Sequence, residues 1–119
     1  MTKKEYLQKL SKVKVDEEKV LKVNAIYHTE LPEILQKIIS DNDETIFFDD
    51  AGRVISLEEM VEAEQDLHID FKGKGIIPLI DCGENDFIVY HFRAKLWSKF
   101  NIIDETVFQK RESLEELLK

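Results

Sequence analysis

The sequence predicts an α+β domain, a single antiparallel sheet with helices packed against it. Three observations predict it. Helical periodicity dominates the first forty residues. β-branched and aromatic runs then follow one another through short polar turns, most clearly in IIPLIDCGENDFIVYHF (76–92). No strand–helix–strand alternation of the kind that builds a parallel sheet is present. The order is helices, then strands, then a short C-terminal helix.

Each element has a local reason. Tyr6, Leu7, Leu10 and Val13 recur at helical spacing over residues 3–13, a Lys-rich segment expected to be a loosely docked terminal helix within residues 1–15. Asp16 is an N-cap residue, and Glu17 and Glu18 suit the positive end of the helix that carries Val20, Leu21, Val23, Ile26 and Tyr27. Pro32 suits the first turn of a third helix, where its missing N–H leaves nothing unpaired; Ile34, Leu35, Ile38 and Ile39 form its stripe, and SDND (40–43) stops it. TIFFD (45–49), the turn DDAG (49–52) and Arg53–Ile55 read as a hairpin. Ser56 and Glu59 form a capping box ahead of a helix with Leu57, Met60, Val61 and Leu67 inward and Glu58, Glu59, Glu62 and Asp66 outward. HIDFKGKG (68–75) reads as a loop. IIPLI (76–80) and FIVYHF (87–92) are strands, with Pro78 moving the first toward a sheet edge or a bulge. LWSKFNII (96–103) is a further strand, and Ser113 with Glu116 a second capping box over Leu114, Leu117 and Leu118.

The chain has 119 residues, of which 43 % are hydrophobic and 35 % charged, enough for one core and one domain over 1–119. No apolar run approaches the roughly 20 residues of a membrane span. The opening MTKKEYLQKL lacks the apolar core of a signal peptide, and a single cysteine excludes an internal disulfide. These features lead to the expectation of a cytoplasmic protein with no membrane partner. The net charge of −8 is unevenly spread. Met1–Ile39 carries eight lysines and six acids, Ser40–Phe71 eleven acids against Arg53 alone, and the remainder eight of each sign. Nucleic acid is therefore a poor partner, because phosphate contacts need clustered Lys and Arg. A basic protein is a better one, since a concentrated acidic field steers it.

Residues that carry chemistry are sparse. Cys82 lies among Asp81, Glu84 and Asp86, which oppose a reactive thiolate. His28, His68 and His91 are scattered without metal-ligand spacing, and the calcium-loop reading of Asp41, Asp43 and Thr45 fails at Ile46, where that loop needs glycine. Asp49–Asp50 and Glu84/Asp86 are carboxylate pairs of the kind a small hydrolase uses, although turn acids are ordinarily solvated. No phosphate-binding, dinucleotide-binding or serine-hydrolase motif is present. No cofactor, metal or catalytic residue is assigned. Trp97 is read as core rather than as an exposed anchor.

Three features in order resemble a known family: an acid-led helix followed by a Leu31-Pro32-started helix, a strand with Ile77-Pro78 leading to a turn with Gly83 and Asp86, and a terminal helix with Ser113, Leu114, Leu117 and Leu118. This pattern resembles the SUKH superfamily, which includes fungal cell-wall assembly regulators and many bacterial relatives. It departs from that pattern at residues 41–43, where DND replaces asparagine-glycine, and at a hairpin whose glycines are reduced to Gly83. The resemblance implies an α+β domain without catalysis. Its bacterial members are similar to immunity proteins that neutralise a toxin, often a nuclease, by direct binding; the fungal branch implies instead a regulatory scaffold in cell-wall synthesis. The expected partner surface is acidic: Asp49, Asp50, Glu58, Glu62, Glu84 and Asp86.

Overall fold

The computed structural model describes residues 1–118. Three helices come first: α1 (Lys3–Leu10), α2 (Glu17–Tyr27) and α3 (Glu33–Asp41). The short strands β1 (Ile46–Phe47) and β2 (Arg53–Val54) precede α4 (Leu57–Leu67) and the one-turn α5 (Phe71–Lys74). Four longer strands follow, β3 (Ile76–Gly83), β4 (Asp86–His91), β5 (Leu96–Asn101) and β6 (Val107–Arg111), and a 3-10 turn spans Leu114–Leu117. The strands form one six-stranded antiparallel sheet in sequence order, β1 to β6. The fold class is the α+β arrangement that the sequence predicts.

Side chains alternate across a strand, so Phe87 and Val89 share one face of β4 while Ile88 and Tyr90 share the other. All four are buried, so both faces at the centre of the sheet are covered. On the first face Phe71 of α5 meets Phe100 edge-on at 6.2 Å, and Phe100 pairs with Phe87. On the second, Tyr90 packs on its cross-strand partner Trp97 at 4.7 Å, bordered by Leu31 and Pro32 at the start of α3. Trp97 is 4 % exposed and belongs to the core.

Several local expectations change. The N-terminal helix is firmly docked: Tyr6 and Leu10 are buried, and the Tyr6 ring meets Phe48 edge-on at 5.4 Å. It ends at Leu10, three residues short of the expected stripe. Leu21 of α2 faces solvent at 64 % exposure. Segment 68–75 is not all loop, because Asp70 accepts from the Gly73 N–H at 2.9 Å and caps α5, which stops at Gly75 in the left-handed region. The C-terminal box does not form: Ser113 makes no side-chain cap, and the segment is a 3-10 turn that buries Leu114 and Leu118.

Pro78 sits inside the sheet, between β2 and β4, and not at an edge. The ladder accommodates it by bulging. Between Pro78 and Ile80, and again between Asp81 and Gly83, β3 spends one more residue than β4, so its eight residues face six. The carbonyl of the extra residue Leu79 accepts from the Ile55 N–H at 3.0 Å. The true edges are β1 and β6, and β6 carries its own bulge at Gln109, whose φ is +52°.

Candidate functional site

A cleft of about 350 Å³ opens between α4, β2 and the β3–β4 turn. Ile55, Ala63, Leu67, Phe87 and Ile102 supply its apolar lining, and Arg53, Glu59, Asp66, Asp81 and Glu84 its charge. One cation against four acids leaves the lining net acidic.

Local rules position the walls. Ser56 accepts from the Glu59 N–H at 3.1 Å and starts α4. The return half of that box is absent because the Glu59 carboxylate is taken by Arg53, which donates to Oε1 at 2.7 Å and Oε2 at 2.8 Å. Glu59 is thus half-buried and committed, not part of the outward face. Arg53 also reaches Asp81 Oδ2 at 3.0 Å, its direct neighbour across the β2–β3 ladder. The bond to Glu59, more than any other influence, raises the Arg53 pKa further. Asp81 uses its second oxygen to accept from the Gly83 N–H at 2.9 Å, which sets up the turn.

The turn itself is a two-residue hairpin loop. Gly83 pairs with Asp86, and Glu84 and Asn85 between them have φ of +54° and +67°. Positive φ at both positions marks a type I′ turn, which favours Asn-Gly, so Glu84 holds a backbone conformation unfavourable for its type. The Asn85 carbonyl accepts from the Ile102 N–H at 2.9 Å, tying the turn to the end of β5.

The six expected contact residues fall in separate places. Glu84 lines the cleft. Asp86 is committed, accepting from Asn101 Nδ2 at 2.9 Å across the β4–β5 ladder. Asp49 and Asp50 hold the N-terminal segment: Asp49 pairs with the Met1 ammonium at 2.7 Å, and the Asp50 carboxylate accepts from the Lys3 N–H at 3.1 Å. Glu58 and Glu62 are exposed on α4 and border a shallow groove with Lys22 and Asp43. The structure therefore brings Glu58 and Glu62 together but not the other four with them. Sequence reasoning did not single out Arg53 as a site residue, nor Asp66 or Asp81. One available signal was that Arg53 is the lone cation among eleven acids.

Folding also redistributes the acidity of the middle segment. Asp41 pairs with Lys9 at 2.9 Å, Asp43 with Lys19, and Glu64 with Lys72 at 3.2 Å. Asp70 is used as a cap. Glu58, Glu62 and Asp66 form no ion pair among the described residues. They are four residues apart, so they lie in one exposed row along α4. Asp66 ends that row and also lines the cleft.

Cys82 is half-buried at the second β3 bulge. Burial is the main reason its pKa is raised, Lys99 and Lys3 pull it down, and Asp81 and Asp86 add to the rise. The expected direction holds, but its main cause is desolvation rather than the neighbouring acids. His91 bonds to buried Ser98 at 2.7 Å, and His28 and His68 are left-handed helix caps. Among the described residues no three His, Cys, Asp or Glu side chains are grouped to hold a metal ion, and no helix is long and apolar enough to cross a membrane. No family model matches this chain, and neither the curated proteins nor the solved structures hold a match to it.

Proposed function

We propose that this chain is a non-enzymatic binding module for a basic protein, of the immunity type, which neutralises a toxin by occupying its cationic surface. The observation that carries the proposal is the row Glu58–Glu62–Asp66. Like charges four residues apart destabilise a helix by a few tenths of a kcal/mol each, and an acid in the last turn opposes the helix dipole. The last turn of α4 holds no basic residue to offset this. Other acids of the same segment are neutralised by Lys9, Lys19, Arg53 and Lys72. A cationic partner would relieve the repulsion that the fold leaves in place. The resemblance to the SUKH pattern supports the immunity role, and a nuclease fits because its substrate-binding surface is basic.

Co-production with a toxin domain encoded beside its gene tests the role. The expected result is survival of the producing cells and a stoichiometric complex. Its association should slow as salt rises, because a long-range field is screened within about 10 Å at 0.1 M. Cell death in the presence of soluble, folded chain overturns the immunity reading. A salt-independent association rate removes the acidic row from the mechanism.

A further inference from the structure

The geometry points to the α4–β3/β4 cleft as a receptor for one arginine side chain of the protein partner, an inference that rests on the binding role proposed above. The volume of about 350 Å³ is at the low end for a small-ligand pocket and suits a single side chain. The half-buried Leu67 and Ile102 offer apolar surface for an aliphatic stem, over a floor that includes Phe87. The charged head is provided for separately. Glu59 and Asp81 are already held by Arg53, so the cleft's own cation is saturated. Asp66 on the α4 wall and Glu84 on the turn wall form no ion pair among the described residues.

Apolar surface and two carboxylates outside any ion pair among the described residues, in one cleft, match the stem and head of arginine. An anion is opposed by the net acidic lining, and an uncharged apolar group would gain nothing from the two exposed carboxylates. Arginine fits better than lysine because its planar fork presents several N–H donors to carboxylates, the way Arg53 in the same cleft already serves Glu59 and Asp81. The exposed row leads to the same place, since Asp66 belongs to both. The row steers a basic surface in, and the cleft fixes one residue of it.

The test is a titration of the isotope-labelled full chain with acetyl-Gly-Arg-Gly-amide, followed by amide chemical shifts. Saturable shifts at Leu67, Glu84, Asn85, Phe87 and Ile102 are expected, with a dissociation constant on the order of 1 mM. The citrulline peptide, which keeps the shape and removes the charge, should give none. Replacing Asp66→Asn and Glu84→Gln together should weaken the arginine peptide about tenfold. The inference is overturned by equal shifts with citrulline, by shifts confined to Glu58 and Glu62, by no saturation, or by unchanged affinity in the double variant. Because the peptide assay needs no toxin, the two readings fail separately. Protection without peptide binding removes only the cleft, and peptide binding without protection removes only the immunity role.

Discussion

Arg53 and Glu59 meet through two parallel hydrogen bonds, at 2.7 and 2.8 Å, and this pair joins the sheet to the helix that forms one wall of the cleft. Its third bond, to Asp81, extends the link to the central strand β3. Replacing Arg53 with Met would leave two half-buried carboxylates close together without their cation. The expected loss is about 1–2 kcal/mol, discounted because all three side chains retain some solvent access. A urea melt should show the midpoint falling with an unchanged slope, and an unmoved midpoint would show the clamp to be energetically idle.

Asn42 predicts a loss from a smaller side chain. It is fully buried, its Nδ2 donates to the Ile55 carbonyl at 3.0 Å, and its own carbonyl accepts from the Leu57 N–H at 2.8 Å. It therefore connects the end of α3 to the start of α4. Asn42→Ala keeps the backbone bond and strands the Ile55 carbonyl, but also removes the buried Asn42 Oδ1, which has no partner among the described residues, for an expected net cost of about 1 kcal/mol. Asn42→Asp should cost more at neutral pH, because it places a buried charge against a carbonyl oxygen. Equal melting temperatures for the wild type and the Ala variant would contradict this account.

The β3–β4 turn offers a trade between stability and binding. Changing Glu84→Asn with Asn85→Gly installs the pair that a type I′ turn prefers, with an expected gain of about 0.5–1 kcal/mol. The same change removes one of the two free carboxylates of the cleft. Thermal stability should rise while affinity for the arginine peptide falls. A variant that gains neither stability nor loses affinity would show Glu84 to be a neutral occupant of the turn.

His91 predicts a pH dependence. Burial first, and Lys110 second, lower its pKa below the usual 6.5. The folded state therefore binds fewer protons than the unfolded one in the interval between the lowered value and 6.5. Stability from this residue is fully present above pH 6.5 and is lost as pH falls through that interval. His91→Gln keeps a polar group beside Ser98 and should flatten the slope just below pH 6.5; an identical slope in the variant would remove His91 as its source.

Cys82 should alkylate slowly. Its pKa is raised chiefly by burial, so little thiolate exists near neutral pH. Iodoacetamide at pH 7.5 should react more slowly with the folded chain than with the chain in urea. A faster reaction in the folded state would reverse this expectation.

The local chemistry of the chain was legible where neighbours in sequence decide it. Asp16 accepts from the Glu18 and Lys19 N–H groups, Ser56 starts α4, and Gly83 opens the hairpin turn. β6 was not legible, since VFQKR is mostly exposed and its bulge at Gln109 breaks the alternation that marks a strand. Of the two outcomes that Pro78 predicts for β3, the bulge is the one found and the edge is not, because strand order is set by pairing with β2 and β4 and not by the proline.

Composition and short-range spacing suffice for the α+β class, the starts of α2, α3 and α4, the β3–β4 hairpin and the excess of acid in the middle third. Which acids remain free depends on contacts between distant parts of the chain. Lys9 neutralises Asp41 and Lys19 neutralises Asp43, while Arg53 is consumed by Glu59 and Asp81. Asp49 and Asp50, prominent in the sequence, are occupied by the N-terminal segment, and Asp66 acquires a place in the cleft. The reason is physical: electrostatic energy depends on distance in space, and folding sets that distance between residues that lie far apart along the chain.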